Sequence, residues 1–492
     1  MSPVTTASRP PASTERAPKE GWVRLPALST RALLVAIVIA AGLVRLAGAW
    51  AGSPCVVTDK AEEAAAAAAE GECVSYNDSV TYLTDARQNA DGDWFTTIEG
   101  DSGPVPTALH APGFAVLLTP LVAVGIDTYE GLRYAVALLG TASVVVIALL
   151  ARRLAGDRAA LVAGALAAVH PLLWVNDVVL MPEGLFAVAV AGVALLALRF
   201  HDEPTWARAA WLGVGIGAGT LWRNEALSAV VFIVVPLVAG LKLPTAARLA
   251  RFGAVVGAVA LVLAPWVAYN HSRFDRWALT NGVGAGLRVG TCDETFYNDT
   301  LLGLRSVDCL QEDGAEIREE ANDDEVGRSR VFQDGAVAYY RDNLGRAPTV
   351  VLARVTRVWG LWRPFESVRL DDAIEQRGAQ RSQIGVVVGW ALLPFAAYGA
   401  LVLWRRRVPL SPLLGWIATS TLLAAANQPL QRFRIGGDVA LVVLAAVGLL
   451  AAAQVPAARR LVGLDPLPPT PDLSFRVRKA TGPVGTRTQN DD

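Results

Sequence analysis

At 492 residues the chain exceeds an ordinary single domain, yet 53% of it is hydrophobic and only 18% charged, where soluble proteins carry about 25% charge. A net charge of −1 supplies no bulk field for nucleic acid or a strongly acidic partner, and no nucleic-acid partner is expected. Arg outnumbers Lys 40 to 4 beside abundant Ala and Val, a bias compatible with a GC-rich bacterial genome.

Residues 1–30 are rich in Pro, Ser, Thr and charge without periodicity, and read as a disordered tail. Ten apolar runs follow, at 32–50, 131–151, 159–176, 184–200, 209–222, 226–241, 252–270, 384–404, 411–427 and 436–455. Most lack charge and approach the roughly 20 residues that carry a helix across a 30 Å hydrocarbon layer. Backbone amides facing lipid have no water to satisfy them, so these runs must be helical. The pattern predicts an all-α polytopic membrane protein of about ten to twelve transmembrane helices, with extracytoplasmic loops that contain juxtamembrane helices. A soluble alternative needs ten such helices in one core. The first run is not a cleavable leader, because a long Pro-rich tail precedes it and no small-residue cleavage site follows.

Positive charges orient the spans. Arg9, Arg16, Lys19, Arg24 and Arg31 precede the first run. Further groups fall on alternate loops: Arg152, Arg153 and Arg158; Arg199 and Arg208; Lys242, Arg248 and Arg251; Arg405 to Arg407; Arg459 and Arg460. The positive-inside rule then puts both termini in the cytoplasm of a bacterial plasma membrane. This holds if 113–125, only 13 residues with an internal Pro, is re-entrant or interfacial. The expected organisation is a tail over 1–30, a membrane domain over 31–456 and a second polar, Pro-rich tail over 457–492. Within the membrane domain, 51–112 forms a first outer loop and 271–383 a large one.

All four cysteines fall in these outer loops, Cys55 and Cys73 in the first and Cys292 and Cys309 in the second. The oxidising side is where disulfides persist. Four cysteines allow three pairings, and proximity favours Cys55–Cys73 and Cys292–Cys309. Their spacings do not suit zinc, and no His lies near either pair. The first loop also carries an Ala-rich helical stretch at 61–70. In the large loop, 350–364 (VVLARVTRVWGLWRP) reads as an interfacial amphipathic helix carrying Arg354, Arg357, Trp359 and Trp362.

Candidate chemistry lies at the outer boundaries. In YNDSVTYLTDARQNADGDW, Asp78, Tyr82 and Ala86 recur every four residues and share one helix face. A carboxylate there can act as general base toward an acceptor hydroxyl, and a solvated loop Asp is the plainer alternative. His110 in LHAPGF stands at the mouth of the short apolar segment. Glu183 in MPEGLF opens a helix, where a carboxylate also suits the helix N-terminus. Arg223 and Glu225 in LWRNEAL sit in a short connection between apolar runs, which is costly unless they face a polar cavity or each other. Arg432 and Arg434 in QRFR precede the last run, on the side where cations are unexpected, and their donor forks suit a phosphate.

Taken in order, the outer-loop Asp78, HAPG, RRLAGDRAALVAG, PEGLF, WRNE, APWVAYNHSRFDRWALTNGVGAGLRVG and QRFR resemble the GT-C superfamily of polyprenyl-phosphate-sugar glycosyltransferases. The resemblance covers about 30–455 and lies nearest the branch that includes protein O-mannosyltransferases and lipid A aminoarabinose transferases. It implies a membrane-embedded inverting glycosyltransferase, moving a hexosyl or pentosyl unit from a polyprenyl-phosphate donor to an acceptor hydroxyl on the outer side. The acceptor could be protein, lipid or glycan. The resemblance puts the catalytic carboxylates at Asp78 and Glu183, and donor or phosphate contacts at His110, Arg223, Glu225, Arg432 and Arg434. Three positions depart from the family pattern: Asn77 before Asp78, HAPG for HPPG, and Tyr269 before Asn270. No cofactor is required by this chemistry, and only scattered acids could hold a divalent metal. A transporter or flippase would instead place polar residues mid-helix and show repeat symmetry; a non-catalytic envelope scaffold would need none of these side chains.

Overall fold

A computed structural model describes residues 29–454, except 53–54, 58–66, 68, 71–72, 75–77, 99–102 and 312–324. Most of the Ala-rich 61–70 stretch, nearly all of the 1–30 tail and the whole 457–492 tail therefore lie outside the described residues.

The chain is helical almost throughout. It opens with α1 (Thr30–Trp50), started by Ser29, whose hydroxyl accepts from the Ala32 amide at 3.2 Å. Two small strand pairs follow, broken by α2 (Asp78–Asp91): β1 (Cys55–Val56) with β2 (Cys73–Val74), parallel, and β3 (Thr96–Ile98) with β4 (Pro104–Pro106), antiparallel. Then come α3 (Gly113–Ala123), α4 (Tyr129–Ala155), α5 (Asp157–Val169), α6 (Pro171–Trp174), α7 (Glu183–Asp202) and α8 (Trp206–Trp222). A 3-10 turn (Asn224–Ser228) and a π turn (Val230–Val234) lead into α9 (Val235–Ala239) and the long α10 (Thr245–Phe274). Residues 275–378 contribute α11 (Val283–Arg288), α12 (Asp293–Tyr297), α13 (Asp308–Gln311), α14 (Glu325–Asp342), α15 (Ala347–Val358) and α16 (Pro364–Glu375). The chain closes with α17 (Ala379–Arg405), α18 (Ser411–Ala426), a 3-10 turn (Gln431–Arg434) and α19 (Ile435–Ala453).

Six helical segments among the described residues are long and apolar enough to cross a membrane: α1, α4, α7, α10, α17 and Gln431–Ala453. Their outer faces carry large apolar side chains such as Val35, Ile39, Leu43, Leu249 and Leu261 in the open, as a lipid-facing surface requires. The chain is a membrane protein. The ten runs read from the sequence are not all single long helices. The run 159–176 breaks where Pro171 cannot continue α5, and 226–241 is divided among 3-10, π and α turns. The runs 209–222 and 411–427 form helices of 17 and 16 residues. The segment 113–125 forms α3, whose 11 residues reach about 16 Å, well short of the hydrocarbon layer.

Helix α19 is the axis of the bundle. It is buried from Ile435 to Gly448 and packs against α4, α5, α7, α17 and α18. Its contact with α17 is so close that a Cβ on Gly399 or Gly448 would fall on the carbonyl of Leu444 or Phe395. Small residues let helix backbones approach where lipid supplies no hydrophobic drive.

Between α11 and α14, Cys292 and Cys309 form the disulfide expected from their proximity in sequence. Backbone pairing sets Cys55 opposite Cys73 in β1 and β2, while their side chains lie outside the described residues. Helix α15 corrects the interfacial reading of 350–364 in one respect. Arg354 and Arg357 do not reach for headgroups but are fully buried against the protein. Arg357 donates to the Leu302 carbonyl at 2.9 Å and the Thr300 carbonyl at 2.8 Å, and Arg354 donates to the Gly290 carbonyl. The exposed residues of 350–364 are the apolar Val351, Leu352 and Leu361. The helix turns its greasy side outward and its cations inward, because the backbone of residues 290–302 offers fixed carbonyl acceptors there.

Candidate active site

Five of the seven sequence-nominated side chains, together with Tyr82, converge on one cavity of about 620 Å³ between helix ends of the bundle and residues 280–305. Asp78 and Tyr82 enter from α2, His110 from the turn before α3, and Arg223 and Glu225 from the turn after α8. Arg432 enters from the turn before α19. The opposite wall is α11 with Asn427 and Gln428.

Local structure explains each delivery. Helix α2 turns Tyr82, Leu83 and Ala86 into a cluster with Phe114 and Leu118 of α3. That cluster brings Asp78, at the start of the helix, to the cavity rim. Gly113 of HAPG allows α3 to abut the end of α8, since a Cβ there would lie 2.8 Å from the Leu221 carbonyl. Trp222 donates to the Pro182 carbonyl at 2.9 Å, locking the WRNE turn against PEGLF. Asn224 reaches Thr280 at 2.6 Å.

The electrostatics are dominated by arginine. Arg432 Nη1 lies 2.6 Å from Asp78 Oδ2, 3.5 Å from Glu375, and its Nε 3.7 Å from Glu183. Arg223 pairs with both Glu183 and Glu225. Burial alone would raise the Asp78 carboxyl, but Arg432, then His110 and Arg305, hold it well below the usual carboxylate range. Asp78 is therefore ionised, and at 35% exposure its side chain remains open to the cavity. His110 lies 3.9 Å from Asp78 and packs its ring 4.8 Å from that of Tyr82. Burial lowers its pKa against the opposing pull of Asp78, so the imidazole is neutral near pH 7. Burial raises Tyr82, with Asp78 and Glu183 adding to the shift, so its phenol stays protonated.

Two nominated residues stand apart. Glu183 is fully buried behind the cavity wall, where it accepts from Arg223. Arg434 does not line the cavity. Its guanidinium makes three hydrogen bonds of 2.8–3.0 Å to Asp438 and one to the Val358 carbonyl. In a 3-10 turn, residues two apart point about 240° apart, so Arg432 and Arg434 cannot share a face. Sequence reasoning missed Arg305, Arg377 and Glu375; the two arginines and Arg432 all gather on the Glu375 carboxylate.

Among the described residues no three His, Cys, Asp or Glu side chains gather as a metal site. Asp78 and His110 are the nearest pair, but Asp78 is held by Arg432, while Glu183 and Glu225 are held by Arg223. A divalent cation would have to displace guanidinium groups, so this donor set does not fit one.

Residues 109–269 match the family model described as dolichyl-phosphate-mannose-protein mannosyltransferase. No curated protein matches the chain in sequence. Among solved structures the chain is similar to the apo oligosaccharyltransferase of Archaeoglobus fulgidus, at 14% identity and a TM-score of 0.50, covering 88% of this chain and 52% of that one. AglB from the same organism, in complex with an inhibitory peptide and a dolichol-phosphate, aligns at 16% identity and a TM-score of 0.49, covering 89% and 52%. ArnT from Cupriavidus metallidurans bound to undecaprenyl phosphate aligns at 16% identity and a TM-score of 0.39, covering 88% and 80%. The chain spans about half the length of the archaeal enzyme, and the likeness is one of fold.

Proposed function

We propose that this chain, a member of the GT-C superfamily by its fold and its family match, is an inverting glycosyltransferase. It moves a hexosyl or pentosyl unit from a polyprenyl-phosphate donor to an acceptor hydroxyl at the outer face of a bacterial plasma membrane. One observation carries the reading: Asp78, His110, Arg223, Glu225 and Arg432, remote in sequence, meet in a single cavity. The matched family description, a dolichyl-phosphate mannose transferase, supports a lipid-phosphate donor. In this topology the shorter helices complete about ten crossings around the six long ones, and the tails over 1–30 and 457–492 are cytoplasmic.

In the reaction, Asp78 takes the proton of the acceptor hydroxyl as its oxygen attacks the anomeric carbon. The bond from that carbon to the phosphate oxygen breaks, and its electron pair leaves with the phosphate. Arg432 and Arg223 stabilise the charge that develops there, with His110 beside them, while Glu183 and Glu225 hold Arg223 in position. A carboxylate clamped by arginine is a weak base. Donor phosphate that draws Arg432 away from Asp78 would restore its basicity, coupling donor binding to activation of the base.

The test is transfer of labelled sugar from polyprenyl-phosphate donors by purified wild type and Asp78→Asn. General-base removal should cost about 10²–10⁴ in kcat with donor binding retained. Equal turnover by the two proteins removes Asp78 from the mechanism. A wild type inert toward every such donor favours a transporter or a scaffold.

A further inference from the structure

Behind Arg432 lies a second guanidinium that also lines the cavity, Arg305. It comes from the loop closed by Cys292–Cys309, residues far from the bundle in sequence and without helical periodicity. That loop is tied down independently of Arg305. The Ser306 amide donates to the Val289 carbonyl at 2.8 Å, and the Gly303 amide to the Thr295 carbonyl at 2.8 Å. Arg357 holds the carbonyls of Leu302 and Thr300. With Leu302 and Leu304 buried, Arg305 is the side chain the loop presents to the cavity.

There it meets Glu375 at 2.7 Å and Asp371 at 3.8 Å. Glu375 is 2% exposed and already receives Arg377 at 2.8 Å and Arg432 at 3.5 Å. Three guanidinium groups meet at this one buried carboxylate, with Arg432 also shared with Asp78 and Arg305 with Asp371. Not every donor is used: the Nε groups of Arg305 and Arg432 are buried without a hydrogen-bond acceptor among the described residues. A simple structural salt bridge would need one arginine here. Two arginines on the same cavity wall, fixed to the two oxygens of one carboxylate, can instead share one tetrahedral oxyanion.

We infer that Arg305 and Arg432 are the two arms of an anion site for the phosphate of the lipid donor, and that Glu375 is the positioning residue that holds both arms against the cavity. The inference rests on the donor reading above and extends it to the 275–378 segment. The donor phosphate thus binds between the bundle and the disulfide-closed loop.

The test is the affinity of the purified full chain in detergent for undecaprenyl monophosphate, with the unfolding temperature followed in parallel. Losing one charge-assisted contact should weaken binding by about tenfold or more in Arg305→Gln, at an unchanged unfolding temperature, and should flatten the dependence of affinity on salt. Glu375→Gln should also weaken binding, because both arms lose their anchor, and Glu375→Asp should recover part of the loss. If Arg305→Gln does not fold, Arg305→Lys carries the test, since an ammonium keeps the charge but not the fork; a severalfold loss is expected. Wild-type affinity in whichever Arg305 variant folds overturns the inference and leaves the donor reading standing. A wild type that binds no polyprenyl monophosphate overturns both.

Discussion

The bundle and the cavity both bury charge, but they do so in opposite ways. In the bundle two buried arginines are each closed off by one carboxylate. Arg45 on α1 donates to Asp177 at 2.6 Å with both side chains essentially unexposed, and Arg434 pairs with Asp438 one turn away on the same segment. At the cavity the charges are shared, since Arg432 lies within 4 Å of Asp78, Glu183 and Glu375 and Arg223 holds two glutamates. A closed pair of this kind holds its segments together and leaves no donor facing the cavity. A shared network against an open cavity can exchange one partner for a ligand at little cost. Burial of charge alone therefore does not mark function in this protein; surplus hydrogen-bonding capacity beside empty space does.

Asp78 and Asp177 break or sustain that contrast most directly. Asp78→Asn should lose about 10²–10⁴ in turnover while unfolding as wild type, because its partner Arg432 keeps Glu375 and Glu183 nearby. Asp177→Ala should do the reverse. It leaves Arg45 buried and unpaired, for a stability loss of about 3–5 kcal/mol, read by denaturant unfolding in detergent, with donor affinity of the folded protein unchanged. If Asp177→Ala lost activity at full stability, the division between closed and shared charge would fail.

These two regions also differ in how much of them the sequence discloses. The bundle is written in apolar runs, and even its breaks at Pro171 and in the 226–241 segment have local causes. Part of the site is equally legible, because Asp78, His110, Arg223, Glu225 and Arg432 are polar residues beside apolar runs, where polarity is costly and therefore conspicuous. Arg305, Glu375 and Arg377 carry no such contrast. They lie in a polar, mixed-charge segment, and what brings them to the cavity is tertiary: a disulfide and two arginines that grip loop carbonyls. Arg434 misleads for the opposite reason. Arg432, two residues before it, lines the cavity, but the 3-10 turn between them sends Arg434 into the bundle.

Asp85 offers an intermediate effect, one helix face along from Asp78. It is 8% exposed, and its Oδ1 has no hydrogen-bond partner among the described residues. Burial, with Glu325 adding to it, pushes its carboxyl up to about 8. The folded state thus holds a proton that the unfolded state releases near pH 4. Stability must fall as pH rises from about 4 to about 8 and level off above. Asp85→Asn removes the ionisation, so its advantage over wild type should grow across that window to about 2–5 °C in Tm at pH 8. An advantage that does not change with pH would mean that Asp85 is charged when folded.

The smallest effect belongs to the exposed pair at the C-terminal end of α4. Arg152 donates to Asp157 at 2.6 Å, a geometry as short as that of Arg45 with Asp177, but the two side chains are 59% and 50% exposed. Water and salt screen such a pair, and ordering two mobile side chains offsets most of its attraction. Asp157 also begins α5, where a carboxylate favours the helix N-terminus by a few tenths of a kcal/mol. Asp157→Asn should therefore cost under about 1 kcal/mol in denaturant unfolding and nothing in turnover or donor affinity. A loss comparable to that of Asp177→Ala would show that hydrogen-bond length, rather than burial and the supply of alternative partners, sets what a charge contributes in this protein.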